Sequence, residues 1–210
     1  MPKRIIPNRT IVVLKILVHI ACLVPVAWLL VHLFQNKLGP DPTHTVTFFT
    51  GRGTLRLLVI TLAISPIRRL FPRFVWIIRF RRMLGLYAFF YGCLHLMTYL
   101  WLYAGFSWAA IVDDISHRRF ILAGVTAWLL MVPLALTSTA WSIRKLGGKN
   151  WTRLHWLTYL AALAGVVHYW WGVKQGDNTP AEITIVLAIV LAARPLLAWV
   201  RSRNAIEVSH

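Results

Sequence analysis

Three histidines, His95, His155 and His168, lie in or at the edge of long apolar stretches. An ionisable ring inside a bilayer is rare and by default marks a functional site. Neutral imidazole is a common ligand for haem iron. Two such rings on different helices, at matching depth, could clamp one haem from both faces. His95 stands in GLYAFFYGCLHLMTYLWLYAG. His155 and His168 stand thirteen residues apart in WTRLHWLTYLAALAGVVHYWWGV.

The elements that must carry these rings are membrane helices. Hydrophobic residues make up 58% of the chain and charged residues only 14%, against about 25% charged in a soluble domain. Mean hydropathy is +0.64. Apolar stretches at about 11–34, 53–70, 83–104, 120–141, 154–173 and 182–200 are each long enough to cross a ~30 Å hydrocarbon core. Runs such as ITIVLAIVLAA are apolar all round and lack the period-2 pattern of a barrel strand. The expected fold is an all-α integral membrane protein, a six-transmembrane-helix bundle forming one haem-binding domain over 1–210. No dinucleotide fingerprint or phosphate loop is present.

The net charge of +17 fits a membrane protein better than a nucleic-acid binder because of where it sits. Segments 1–10, 66–82, 142–153 and 201–210 hold fifteen of the twenty-three Lys and Arg, and the alternate loops hold five. Basic residues in short loops stay on the cytoplasmic side. Both termini are therefore expected to be cytoplasmic. The first apolar run reads as a signal anchor, too long for a cleavable signal peptide. Cys22 and Cys93 form no motif and read as packing residues.

At ~1.5 Å per residue, His95 and His168 both lie roughly 18–21 Å from the cytoplasmic face. Ala88 and Gly92 share the His95 face, and Ala161, Ala164, Gly165 and Gly172 line the His168 stripe. A flat macrocycle needs such a trough, although ordinary helix packing in membranes also favours small residues. His155 lies about 20 Å below His168 and roughly 140° away around a straight helix. A π-bulge is one way to correct that phase. Three roles stay open for His155: ligand of a second haem, contact to a flavin or a propionate, or cap of an interfacial helix. His19 is a deeper alternative partner, while His32, His44 and His117 read as interfacial.

Arg52 and Arg56, four apart on one face, could neutralise haem propionates. The basic loop containing Arg79, Arg81 and Arg82 is explained first by topology, with a phosphate-bearing flavin as an additional reading. Arg194, beside Pro195, is a further candidate for an anionic cofactor. Asp113 and Asp114 are placed to steer a partner by charge.

With these residues in view, the chain resembles the MsrQ (YedZ) family, the haem-binding membrane subunit of the bacterial protein-methionine-sulfoxide reductase system, in the ferric reductase-like transmembrane group. The resemblance runs through LKILVHIACLVPVAWL, LGPDPTHTVTFFTGR, RRMLGLYAFFYGCLHLMTY, LALTSTAWSIRKLGGKNWTRLHWLTYL and HYWWGVK. It implies haem-ligand histidines at His95, His155 and His168. It also implies a b-type haem protein of the inner membrane that binds FMN and takes electrons from the quinone pool or a cytosolic flavin reductase. The implied acceptor is a periplasmic molybdenum-containing subunit that reduces methionine sulfoxide in oxidised proteins. With both axial positions filled, the chain is expected to relay electrons and leave substrate reduction to its partner. Rival readings are a quinol-oxidising cytochrome b, a ferric reductase, and, in a different class, a small transporter or membrane scaffold.

Overall fold

The computed structural model describes residues 7–207, with side chains described through residue 199. Among the described residues there is no strand. Eight α-helices follow one another: α1 Asn8–Phe34, α2 Pro42–Leu70, α3 Arg81–Thr98, α4 Trp108–His117, α5 Arg119–Leu136, α6 Ala140–Leu154, α7 Leu157–Gly172 and α8 Thr179–Glu207. A 3-10 segment, Pro72–Phe80, leads into α3, and a π-helical turn, Tyr99–Tyr103, closes it.

Five helices are long and apolar enough to cross a membrane: Asn8–Phe34, Pro42–Leu70, Pro72–Tyr103, Arg119–Leu136 and Thr179–Trp199. The stretch expected as a sixth span, 154–173, is different. The chain turns at His155 and Trp156, and α7 has only 16 residues. That is a rise of ~24 Å, short of the ~30 Å hydrocarbon core.

Several segments expected as loops are helical for readable reasons. The second helix begins at Pro42, eleven residues before the expected span. The Asp41 carboxylate caps it by accepting from the His44 N–H at 2.9 Å, and Pro42 takes a first-turn position where no N–H is needed. Ser107 caps α4 and Thr139 caps α6 in the same manner. Within α6 the backbone breaks at Gly147, whose φ of 73° suits a residue without Cβ.

The centre of the bundle is α2. Its Leu55, Leu58, Val59 and Leu62 form one core with Ala88 of α3, Met131 of α5, Ala161, Ala162 and Val166 of α7, and Leu187 and Val190 of α8. α2 packs along α3, and α5 along α7. By contrast, α1 exposes Val12, Ile16, Ile20 and Val24, as a lipid-facing helix does. It is tied inward by Tyr91, whose hydroxyl donates to the Cys22 carbonyl at 2.9 Å. Trp101, Trp108, Trp141, Trp171 and Trp199 are exposed near helix ends, where an aromatic belt sits. Cys22 and Cys93 are both free thiols.

Candidate functional site

His95, near the end of α3, reaches across to α2. Its Nδ1 lies 3.0 Å from the Thr47 carbonyl oxygen and 3.4 Å from the Thr50 hydroxyl. That hydroxyl already donates to the Val46 carbonyl at 2.8 Å. His168, near the end of α7, reaches α5, with Nδ1 2.6 Å from the Phe120 carbonyl oxygen. A carbonyl oxygen only accepts, so each ring must carry its proton on Nδ1. The free lone pair is then on Nε2 in both rings, which is the state in which imidazole binds a metal.

The two rings meet. Their centroids are 5.8 Å apart and their planes cross at 76°. A metal held between two ring nitrogens at ~2.0–2.1 Å each, with about 1 Å more from each nitrogen to its ring centre, requires roughly 6 Å. No cluster of three or more His, Cys, Asp or Glu side chains that could hold a metal occurs among the described residues. Two imidazoles alone suit an iron that brings its own equatorial ligands, as haem does, and do not suit a bare ion needing four protein donors.

Glycines on the facing helices let the rings in. A Cβ built on Gly51 would stand 3.0 Å from His95 Cε1, and one on Gly124 would stand 2.7 Å from His168 Nδ1. Each glycine follows its acceptor carbonyl by four residues, Thr47 to Gly51 and Phe120 to Gly124. In an α-helix the carbonyl of residue i lies beneath residue i+4. A missing side chain there opens the second lone pair of that carbonyl to a neighbouring helix.

Four of the small residues expected to form a trough on the ligand helices do other things. Ala88 and Ala161 are core residues. Gly165 faces the Leu55 methyl, and Gly92 faces Thr54 and Trp128. Trp128 was not singled out by the sequence. Its indole N–H is buried without a hydrogen-bond partner, and its ring stacks on Phe89 with centroids 6.0 Å apart. It stands one helical turn beyond Gly124 and faces Gly92, three residues before His95. A buried orphan donor at this place suits a bound group that brings an acceptor.

His155 is elsewhere. It is the C-cap of α6, with Nδ1 3.0 Å from the Trp151 carbonyl oxygen and its ring stacked on Trp151 at 3.7 Å. It precedes α7, so a π-bulge in α7 is not what sets its phase. The π-helical turn lies instead just after His95. Arg81 is near enough to act electrostatically on His155, Arg68 and Arg194. Arg194 donates to the Leu62 carbonyl at 3.0 Å and lies over the Tyr159 ring at 4.8 Å, while its Nε is buried without a partner. Arg81, Arg194 and His155 thus gather at one end of the bundle. Arg79 contacts Asn8 at 3.4 Å, and Arg82 is exposed. Arg52 donates to the Tyr169 hydroxyl at 2.8 Å. Together with Arg56, Thr179 and Glu182 it lines a cleft of about 320 Å³ between α2, α7 and α8. His19 pairs with the Tyr87 hydroxyl at 2.6 Å.

A helical membrane bundle with two half-buried imidazoles brought together from different helices defines a class, and sequence comparison gives the same one. Residues 50–166 match the family described as ferric reductase like transmembrane component. The chain is 42% identical over 202 residues to the protein-methionine-sulfoxide reductase heme-binding subunit MsrQ of Herminiimonas arsenicoxydans, covering 94% of this chain and 91% of the relative. It is 46% identical over 191 residues to that of Xanthomonas campestris pv. campestris (strain 8004), covering 88% and 87%. It is 42% identical over 202 residues to that of Ralstonia nicotianae, covering 95% and 92%. The chain belongs to the MsrQ family. No solved structure matches it.

Proposed function

We infer that this protein is a transmembrane electron-transfer cytochrome b serving a methionine sulfoxide reductase. The observation that carries the reading is the 5.8 Å approach of His95 and His168 with both Nδ1 atoms committed to carbonyls. A haem b bound there supplies a one-electron carrier inside the bilayer.

The chain's own residues do the rest. His95 and His168 would hold the haem iron through Nε2, the nitrogen that each ring leaves free, and an iron held by both would have no position left for substrate. The Thr47 and Phe120 carbonyls fix the tautomer and raise the basicity of each imidazole. The apolar core around α2 excludes water. At the other end of the bundle, Arg81, Arg194 and His155 are the group best placed to meet an anionic cofactor, either FMN or the propionates of a second haem. Arg79 and Arg82 add positive charge on the same side, and Arg52 and Arg56 could serve propionates at the histidine-pair end. The proposed topology has six spans with α7 as a short sixth, both termini in the cytoplasm and the protein in the bacterial inner membrane. The proposed donor is the quinone pool or a cytosolic flavin reductase. The proposed acceptor is a periplasmic molybdenum-containing subunit that reduces methionine sulfoxide.

The test is the absorption spectrum of the purified protein with dithionite reduction. A Soret band that shifts on reduction is expected, together with its loss in both His95→Ala and His168→Ala. A colourless wild-type protein overturns the cytochrome reading. A spectrum that survives both substitutions overturns the ligand pair.

A further inference from the structure

Opposite charges face one another across the cleft between α2, α7 and α8 without closing it. Arg52 and Arg56 of α2 and Glu182 of α8 line it, with Tyr169 and Thr179 between them. Among the described residues the ion pairs are His117–Asp113 and Arg118–Asp114, so neither arginine is within ion-pair distance of Glu182. Asp177 is near enough to Arg52 to sense its charge, and its carboxylate is committed to the Thr179 N–H at 2.9 Å. Taken together these four groups are neutral, with the positive charge on the α2 wall and the negative charge at the start of α8. The volume of about 320 Å³ falls at the low end of the range of about 300–1,000 Å³ typical of small-molecule sites.

Three helices hold the cleft in shape. Arg52 Nε donates to the Tyr169 hydroxyl at 2.8 Å, and that hydroxyl donates to the Thr179 hydroxyl at 3.1 Å. The Phe48 and Tyr169 rings flank the Arg52 guanidinium, 5.5 and 5.8 Å from it. Arg56 stands one turn further along α2 and is exposed, as is Glu182. Like charges one turn apart repel, and an anionic group between the two arginines removes that repulsion. From this end α2 and α8 run side by side in the same direction, because further along Arg194 donates to the Leu62 carbonyl at 3.0 Å. One turn beyond the charges both helices expose aliphatic side chains. Ile60 follows Arg56 by four residues and Val186 follows Glu182 by four, with Ile189 next along α8. Separated charges at the mouth and an apolar track leading away from them along membrane helices match the two parts of a phospholipid.

We propose that this cleft binds the head group of a zwitterionic phospholipid with a primary amine, its phosphate on Arg52 and Arg56 and its ammonium on Glu182. Guanidinium groups suit a phosphate because their N–H forks match its oxygens. A purely anionic head gains from the arginines and loses to Glu182 and Asp177. A choline head carries the same charges but has no N–H to donate to the Glu182 carboxylate. The acyl chain follows Ile60, Val186 and Ile189. The bound lipid ties α2 to α8 beside the histidine pair, since Arg52 follows Gly51 and Tyr169 follows His168. The site is independent of the electron-transfer reading above.

The test titrates the full-length protein, delipidated in a neutral detergent, with palmitoyl-oleoyl phosphatidylethanolamine, phosphatidylcholine or phosphatidylglycerol. Native mass spectrometry counts the lipids held per polypeptide. Wild type is expected to hold one ethanolamine lipid and to prefer it to the other two by up to about fivefold, the scale of an exposed charge pair. Glu182→Gln should abolish that preference. Arg56→Gln should weaken binding of all three lipids. Both side chains are exposed, so both variants should fold, and their melting without lipid checks this. Wild-type protein that binds the three lipids equally, or prefers the glycerol lipid, overturns the proposal whatever the variants do. A preference that survives in Glu182→Gln overturns it as well. So does Arg56→Gln protein that loses haem while its lipid binding is unchanged, which would give the arginines to haem propionates.

Discussion

The His168 ring lies so close to Gly124 that an added Cβ would stand 2.7 Å from Nδ1 and 2.8 Å from Cε1. The ring is held there by the Phe120 carbonyl, on the same helix face four residues earlier. Gly124→Ala must therefore push the imidazole off its acceptor, because the obstructing atoms belong to a ring already fixed at 2.6 Å. We expect Gly124→Ala to lose most of its bound haem, measured as the haem-to-protein ratio after purification. Gly51→Ala meets His95 at 3.0 Å, which needs only a small shift. It should retain haem with a displaced Soret band or reduction potential. Equal, full occupancy and unchanged spectra in both variants would refute the role given to these glycines.

A pH effect is expected at the start of α8. The Asp177 carboxylate accepts from the Thr179 N–H at 2.9 Å, and this backbone bond holds its carboxyl below the ordinary carboxylate range. A lowered folded-state pKa means that the bond contributes while the carboxylate is charged. That contribution is complete above the unfolded-state value of about 3.9. It is lost as pH falls below that value through the lowered folded one. Hydrogen exchange at Thr179 should be slow and flat from neutral pH to about pH 5, once corrected for intrinsic rates. Protection should drop on further acidification. In Asp177→Asn the acid-dependent step should be absent, and a step that persists there belongs to another group.

The helices that carry the histidines were legible because apolar length and hydropathy fix membrane helices with little help from context. The equal depth of His95 and His168 followed from counting residues along two segments expected to run in the same direction. What was not legible is what lies across from each ring. The expected trough was sought on the ligand helices, whereas Gly51 and Gly124 belong to the neighbours α2 and α5. Their signal is local, a glycine four residues after a carbonyl that faces another helix. It can be read only once the pairing of α2 with α3 and of α5 with α7 is known. The phase of His155 relative to His168 was less legible for a similar reason. The run 154–173 is apolar enough to look continuous, yet the chain turns at His155 and Trp156. A phase angle computed along a straight helix therefore does not carry across that joint.

Because His155 caps α6 and stacks on Trp151, it acts at a distance from the histidine pair. His155→Ala should leave the Soret signature assigned to His95 and His168 in place. Any loss should be confined to whatever anionic cofactor Arg81 and Arg194 help to hold, read as flavin or a second iron per polypeptide. The variant should also loosen the α6–α7 junction, since the His155 ring bonds the Trp151 carbonyl at 3.0 Å. A loss of about 0.5–1.5 kcal/mol is the usual range for one such bond, read as a lower Tm. Disappearance of the whole haem spectrum in a folded His155→Ala protein would place His155 in the same site as His95 and contradict the geometry.

Trp128 separates the cost of an empty site from the benefit of a filled one. Its indole N–H is buried without a partner, and an unsatisfied buried donor costs about 1–3 kcal/mol. Trp128→Phe removes that donor and keeps an aromatic ring against Phe89 and Gly92. The relief offsets the packing lost with the smaller ring, so the cofactor-free protein should keep its Tm. If the N–H donates to an acceptor on the bound group, the same substitution removes about 0.5–1.5 kcal/mol of binding, which is a two- to tenfold loss of haem affinity. Haem titration into cofactor-free wild type and Trp128→Phe reads the affinity, and thermal melts of both read the stability. A variant that melts earlier without haem yet binds it as tightly would show that the indole serves packing alone.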